Sequence, residues 1–257
     1  MTRSRSTRFA AVTCAALVAV IRAVPVCAQQ SSLEPTQGVF LNDVLGATIT
    51  DAKRLPSLDT LAWITIGAAI AGASSVVDRP TSATMSSSGV AHQTLGPGET
   101  LGGARVQLAG AATTYAIGHL TGNAKAASVG ADLLRAQLLT QVLTASVKLS
   151  VQRGRPDGTQ YSFPSGHSAT TFASATVLSR HFGWKVGVPA YAVASYVAAS
   201  RLQAKRHFLS DVAFGASVGI AVGRTVTIGR GGARFALSPT VTPGGGGVAF
   251  TLVGQQP

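Results

Sequence analysis

Two histidines, three cations and one carboxylate lie with a serine and a glycine in three short segments of the C-terminal half. These residues are Lys148, Arg155, Ser165, Gly166, His167, Arg201, His207 and Asp211. Lysine offers a point charge and arginine a planar fork, and both suit the oxygens of a phosphate. Histidine can act as a nucleophile or as an acid. The residue types therefore indicate chemistry on a tetrahedral oxyanion.

The same half of the chain is poor in metal ligands. After Asp132 it holds two acidic residues, Asp157 and Asp211, against twelve lysines and arginines. Phosphoryl transfer with Mg²⁺ or Zn²⁺ needs several carboxylates or a His/Cys cluster as ligands. We therefore expect a site with no metal and no other cofactor.

The Pro-Ser-Gly-His segment is predicted to lie at the start of a helix. Pro164 ends the preceding segment and Ser168 begins a run of good helix formers, so residues 165–167 fall where free N–H groups favour an anion. Gly166 would let the backbone come close to a bound oxygen. Taken alone, the segment fits a serine N-cap beside a surface histidine equally well.

His207 and Asp211 are four residues apart, so on a helical turn both face one side. The carboxylate could accept a hydrogen bond from one ring nitrogen and leave the other free to attack phosphorus. A surface pair that caps a helix is the alternative. Likewise, Lys148 alone could be a solvated partner of a helix C-terminus.

The conjunction of the three segments, in order, is far more specific. Lys-x6-Arg-Pro, Pro-Ser-Gly-His and Ser-Arg-x5-His-x3-Asp are all present between Lys148 and Asp211. Together they resemble the full signature of the type 2 phosphatidic acid phosphatase superfamily, which also contains vanadate-dependent haloperoxidases. The helical pattern extends this resemblance over about residues 61–226.

The resemblance implies a metal-free reaction through a phosphohistidine and a role for each motif residue. His207 would be the nucleophile, Asp211 its orienting partner, and His167 the acid that protonates the leaving alcohol and then activates water. The phosphoryl oxygens would be held by Lys148, Arg155, Ser165, Gly166 and Arg201. Vanadate, which mimics phosphate, is expected to inhibit.

The predicted fold is all-α, a bundle of about six helices of the phosphatidic acid phosphatase type with a short C-terminal β-hairpin. Residues 81–98 are predicted as a loop or short helix, and alternation after Ala233 indicates the hairpin. Small residues along the helices should allow close approach. The predicted helices span 61–77, 103–120, 127–152, 168–182, 186–202 and 210–226.

Four segments are predicted. Residues 1–28 resemble a secretory signal, with Arg3, Arg5 and Arg8 before an apolar stretch and a small-residue cleavage site before Gln29. A lead-in segment (29–56), a helical phosphatase domain (57–228) and a hairpin tail (229–257) follow. An uncleaved membrane anchor is the alternative to the cleaved signal.

Composition restricts the partners. The net charge is +12, and loss of the four arginines in the signal leaves 17 cations against 9 acids, or +8. No basic and aromatic binding motif accompanies this charge, so we expect no nucleic acid but an anionic lipid or phosphorylated substrate. Both cysteines fall within the signal, so the mature chain would hold no disulfide and no cysteine metal site.

The sequence thus predicts an exported, metal-independent phosphatase on the periplasmic side, acting on phosphomonoesters or diphosphates, with lipids favoured and membrane association expected. A soluble broad-specificity acid phosphatase, a vanadate haloperoxidase and a non-catalytic envelope protein are the alternatives. The sequence does not specify the oligomeric state. Solvent exposure is expected for Arg153, Lys205 and Arg206. A structural or exposed position is expected for His92, His119 and His181, and a place at the substrate entrance for Tyr161 and Phe163.

Overall fold

The computed structural model describes residues 41–87, 89, 94–228, 234–242 and 245–253. The predicted signal, the start of the lead-in segment and His92 lie outside the described residues. Nine helices occur in the described ranges. They are α1 (Leu41–Arg54), α2 (Leu58–Ser75), α3 (Asp78–Ser87), α4 (Pro97–Leu101), α5 (Ala104–Leu120), α6 (Ala124–Val151), α7 (Gly166–Phe182), α8 (Trp184–Gln203) and α9 (Leu209–Val226).

The helical fold class is confirmed, but the expected number of about six helices is wrong. Each predicted helix exists, as α2 and α5 to α9, and α1, α3 and α4 are additional. Helix α1 lies within the predicted lead-in segment, where the sequence shows no sustained apolar period. There Val44 is buried, and the buried Asp51 accepts a hydrogen bond from Arg135 of α6. Tertiary contacts stabilise this short helix more than local propensity does.

The other two additional helices begin close to prolines. Pro80 is the third residue of α3. Proline is tolerated in a first turn because the N–H groups there have no partner within the helix. Pro97 likewise opens α4. These prolines therefore mark helix starts.

The core lies among α5, α6, α7 and α9 and is built from small and medium apolar side chains. Its buried members are Ala111, Val129, Leu133, Ala136, Leu139, Ala173, Val177, Val218, Val222 and Val226.

Helices α7 and α9 touch backbone to backbone. A Cβ placed on Gly215 would lie 2.5 Å from the carbonyl oxygen of Ser165, and one on Gly219 would lie 2.2 Å from that of Ala169. Either side chain would force the helices apart. The predicted close approach of small-residue helices is confirmed at this contact, which holds the N-terminal ends of α7 and α9 side by side.

The predicted motifs fall at helix ends. Lys148 lies in the last turn of α6 and Arg201 in the last turn of α8, whereas His167 opens α7 and Asp211 lies in the first turn of α9. The loop from Gln152 to Ser165 joins α6 to α7 across this end of the bundle. We call it the site end.

Strands β1 (Arg234–Thr242) and β2 (Gly245–Val253) pair antiparallel near the C-terminus. The all-α class rests on the helices and not on this pair. By length and composition, α2 and α9 could each cross a bilayer. Of α2, 11% is buried against the protein, and of α9, 67%, so α9 equally fits the core helix of a soluble protein.

Candidate active site

His207 is held by the backbone of the loop between α6 and α7. Its side chain is almost fully buried, and Nδ1 lies 2.6 Å from the carbonyl oxygen of Ser162. Because a carbonyl oxygen can only accept, Nδ1 carries the proton and Nε2 keeps its lone pair. Burial, and then the charge of Lys148, lower the pKa of His207 well below its ordinary value. The ring is therefore a neutral imidazole with one nitrogen available as a nucleophile.

Asp211 does not accept the predicted hydrogen bond from His207. Its Oδ2 lies 3.9 Å from Nδ1 and accepts instead from the Ser162 hydroxyl and, at 2.7 Å, from the Phe208 N–H. A peptide carbonyl has taken the place of the carboxylate as the direct partner of the ring. Asp211 positions His207 indirectly, by fixing Ser162 and the start of α9.

Arg153 joins two buried carboxylates and is not the solvated residue that the sequence suggested. Its Nη1 donates to Asp211 Oδ1 at 2.7 Å, and its Nη2 donates to Asp78 Oδ2 at 2.8 Å. Asp78 also accepts from the Ser210 N–H at 2.9 Å. The side chain of Arg153 is 32% exposed. This bridge ties the start of α3 to the start of α9 behind Asp211.

Lys148 and Arg155 place positive charge beside His207. Lys148 donates to the carbonyl oxygen of Tyr161 at 2.7 Å. Burial, and then the neighbouring Arg155, lower the pKa of Lys148 to about 8. An anion bound beside Lys148 would stabilise its charged form and raise this pKa again.

Arg201 and Arg155 carry unmet hydrogen-bond donors. Arg201 is 2% exposed, yet its Nε and Nη1 have no partner within the described part of the chain, and the same holds for Nε of Arg155. Leaving such donors buried and unpaired costs about 1–3 kcal/mol each, and more for charged groups. An oxyanion would supply the missing acceptors.

His167 is half-buried beside Arg201. Burial, and then the charge of Arg201, lower its pKa to about 4, while the charge of Glu99 acts in the opposite direction. Nothing in the sequence pointed to Glu99, because it lies on α4, far from the motifs.

Ser165 and Gly166 differ in what they offer. Ser165 has no exposed surface, and its hydroxyl caps α7 by accepting from the Ser168 N–H at 3.4 Å. It is seen as the cap and not as a group on the open side of the site. A Cβ built on Gly166 would meet nothing within 4 Å, so space remains beside the first turn of α7.

The remaining predicted residues lie around this group. Lys205 is exposed, as expected, and Arg206 pairs with Asp157 at 2.9 Å. Tyr161 is 41% exposed, whereas the ring of Phe163 packs 4.8 Å from that of Phe214. The first is therefore open to a ligand and the second is part of the packing.

The structure brings the predicted cations and histidines together. The charges of Lys148, Arg155 and Arg201 all act on His207. Among the described residues, no three His, Cys, Asp or Glu side chains are grouped as metal ligands. A ring of cations around a neutral histidine can bind a phosphoryl group and present a nucleophile to it.

Comparison with known proteins agrees with these motifs. The model of the PAP2 superfamily matches residues 129–233, a range that includes every predicted site residue. The resemblance predicted from the sequence is thus confirmed over these residues.

Individual relatives are also similar. A lipid A 1-phosphatase from Porphyromonas gingivalis is 45% identical over 96 residues, which is 36% of this chain and 21% of the relative. This chain thus matches about a fifth of that protein's length. Among solved structures, a transmembrane PAP2-type phosphatidylglycerolphosphate phosphatase from Bacillus subtilis is 19% identical. The match covers 72% of this chain and 92% of that chain, with a TM-score of 0.47.

Proposed function

We propose that this chain is a phosphatase that hydrolyses phosphate esters of lipids through a phosphohistidine. One observation carries the proposal. Buried donors of Arg155 and Arg201 have no acceptor among the described residues. Both arginines lie near His207, whose Nδ1 already donates to the carbonyl oxygen of Ser162. A phosphoryl group bound there would satisfy these donors and lie within the field of all three cations.

In the first step, Nε2 of His207 would attack phosphorus while the bond from phosphorus to the ester oxygen breaks. His167 would give its proton to the departing oxygen. Lys148, Arg155 and Arg201 would hold the equatorial oxygens, where such a transition state gains most of its stabilisation.

His167 must first acquire that proton, because a pKa of about 4 leaves it neutral in the free site at neutral pH. The two cations that lower this pKa, Arg201 and Lys148, would face the bound phosphate. A phosphate dianion offsets their charge and raises the pKa of His167. Substrate binding would therefore prepare the acid. In the second step neutral His167 takes a proton from water, which attacks phosphorus and releases His207.

A lipid substrate and membrane association are supported by three features. The relative from Porphyromonas gingivalis is named for a lipid phosphate. Helix α2 exposes Leu58, Leu61 and Ile70, so an apolar face is available to a bilayer. The basic net charge favours an anionic membrane. We propose that the reaction takes place on the exported side, which the predicted signal supports.

The test is to assay the purified chain in the presence of EDTA against a lipid monophosphate, an isoprenyl diphosphate and a soluble aryl phosphate. We expect turnover of a lipid substrate that survives chelation and is inhibited competitively by vanadate. Equal turnover of the aryl phosphate would favour a soluble acid phosphatase. Loss of activity with EDTA and recovery with Mg²⁺ would show that the site is wrongly assigned.

A further inference from the structure

Glu99 brings a carboxylate to the edge of the cationic site. Its Oε1 lies 3.6 Å from Nη2 of Arg201, and its side chain is 61% exposed. The residue that follows α4 packs on His167, since a Cβ on Gly102 would lie 3.0 Å from Cδ2 of that ring. Glu99 therefore lies against a proposed phosphate-binding arginine, close to the proposed acid, while its carboxylate faces solvent.

The position of Glu99 is fixed by close backbone packing. A Cβ on Gly98 would lie 2.5 Å from Cβ of Ser200, and one on Gly102 would lie 2.4 Å from Cγ1 of Val197. No side chain can therefore stand between α4 and α8 at these two points. Helix α4 holds Glu99 against the turn of α8 that carries Arg201.

The other carboxylates near the site are engaged differently. Asp211 is fully buried and accepts from Arg153, Ser162 and the Phe208 N–H. Asp157 pairs with Arg206 and accepts from Thr159. Glu99 is the carboxylate that meets Arg201 from the solvent side, at Nη2.

We propose that Glu99 determines how much negative charge the site accepts and that it selects monophosphates over diphosphates. This inference rests on the proposed function and deepens it. Among the described residues, Nε and Nη1 of Arg201 have no acceptor and remain available to a phosphate, while its Nη2 faces Glu99. A second phosphate on the leaving group must extend toward the open side, where Glu99 repels it.

The test compares two substrates that share one chain, farnesyl phosphate and farnesyl diphosphate. The ratio of their kcat/KM values should favour the monophosphate in the wild type. Glu99→Gln should reduce that preference by roughly three- to tenfold, the size expected for one partly exposed charge. Glu99→Asp, which keeps the charge, should retain most of the preference.

Asp59→Asn is the matched control. It removes the same charge from the start of α2, where Asp59 pairs with Arg224 near the end of α9, away from the site end. We expect it to leave the substrate ratio unchanged. An unchanged ratio in Glu99→Gln, or an equal change in both variants, would overturn the proposal.

A binding measurement separates this inference from the proposed function. Calorimetry on the wild type should give tighter binding of inorganic phosphate than of pyrophosphate, and Glu99→Gln should narrow the difference. If the wild type hydrolyses neither substrate, the proposed function fails. The difference in affinity between inorganic phosphate and pyrophosphate still decides the role of Glu99. Tighter binding of pyrophosphate by the wild type would refute that role, even if the variant does not fold.

Discussion

Polar clusters of the same residue types lie at both ends of α7. Among the described residues, the arginines beside His207 leave donors unmet, whereas Arg135 at the far end does not. At the site end, Arg153 joins Asp78 and Asp211 behind His207. At the far end, Arg135 donates to Asp51, to Asp132 and, at 3.1 Å, to the carbonyl oxygen of Val226. His181 Nε2 completes this far group at 2.7 Å from Asp132. We call the far group, Asp51, Asp132, Arg135 and His181, the anchor cluster.

The difference lies in what the neighbouring arginines leave unused. Arg135 spends both Nη groups on protein acceptors, and it thereby joins α1, α6 and the end of α9. Arg201 is also buried, but its Nε and Nη1 have no hydrogen-bond partner among the described residues. Buried histidines, arginines and aspartates alone therefore do not identify a reactive site. Hydrogen-bonding capacity that the protein itself does not satisfy is the better indicator.

The two buried histidines give the sharpest test of this comparison. His207→Ala removes the proposed nucleophile, so turnover should fall to background and no phosphoenzyme should be trapped. His181→Ala leaves Asp132 without its ring partner, so it should lower the melting temperature and leave kcat of the folded protein nearly unchanged. Trapping with a rapid acid quench, beside thermal melts, measures both effects. A phosphoenzyme in the His207 variant would contradict the assignment.

His167 tests whether the site end performs proton transfer. His167→Ala should slow turnover of an alkyl ester by about 10²–10⁴-fold, the usual contribution of a general acid or base. The loss should shrink for a nitrophenyl ester, because nitrophenolate leaves without a proton. Steady-state rates on the two esters measure this. Equal losses on both would show that His167 acts in another way.

The two bridging arginines should separate stability from activity. Arg153→Met and Arg135→Met each remove the arginine that joins two buried carboxylates, which should reduce the free energy of unfolding by about 3–5 kcal/mol. Arg153→Met should also lower kcat, by roughly 10²-fold, because it releases Asp211 and through it Ser162 and His207. Denaturant unfolding and kcat at a temperature where both variants are folded provide the comparison.

Arg153→Lys serves as the milder variant if Arg153→Met does not fold. It keeps the charge but cannot reach Asp78 and Asp211 as a fork, so part of the kcat loss should remain. Equal kcat losses in the Arg135 and Arg153 variants would remove the distinction between the two ends.

The smallest expected effect concerns pH. Lys148 has a pKa of about 8, below its ordinary value, so its charge is lost as pH rises through that value. Because kcat/KM reports ionisations of the free enzyme, it should decline above about pH 8. Lys148→Arg, which stays charged, should lack this decline. A profile of kcat/KM from about pH 6 to 10 checks the prediction, and an identical decline in the variant would assign it to another group.

Much of this arrangement follows from the sequence. The order and spacing of the motifs assigned the two histidines and the three cations to one group. Helical stretches separated by Gly, Pro and polar turn residues located six helices. The helical stretches are local signals, and the motifs are short patterns of residues. The helix ends that hold Lys148, His167 and Arg201 could be placed for the same reason.

The parts that were missed depend on contacts between distant segments. Arg153 and Asp78 are 75 residues apart, and neither position shows by itself that the other exists. Ser162 is an ordinary loop serine until its carbonyl meets His207. One signal was available. Asp78 is an acid directly after the uncharged stretch 61–77, which offers no cation to pair with it.

The glycine contact between α7 and α9 has a consequence for how this chain can vary. At Gly215 and Gly219 one helix rests on the backbone of the other, so their spacing does not depend on the size of any core side chain. Substitutions elsewhere in the core can therefore accumulate with little effect on the distance between the two helix starts that frame the site. Either glycine, by contrast, should resist even alanine. A randomised library selected for activity should consequently retain glycine at positions 215 and 219.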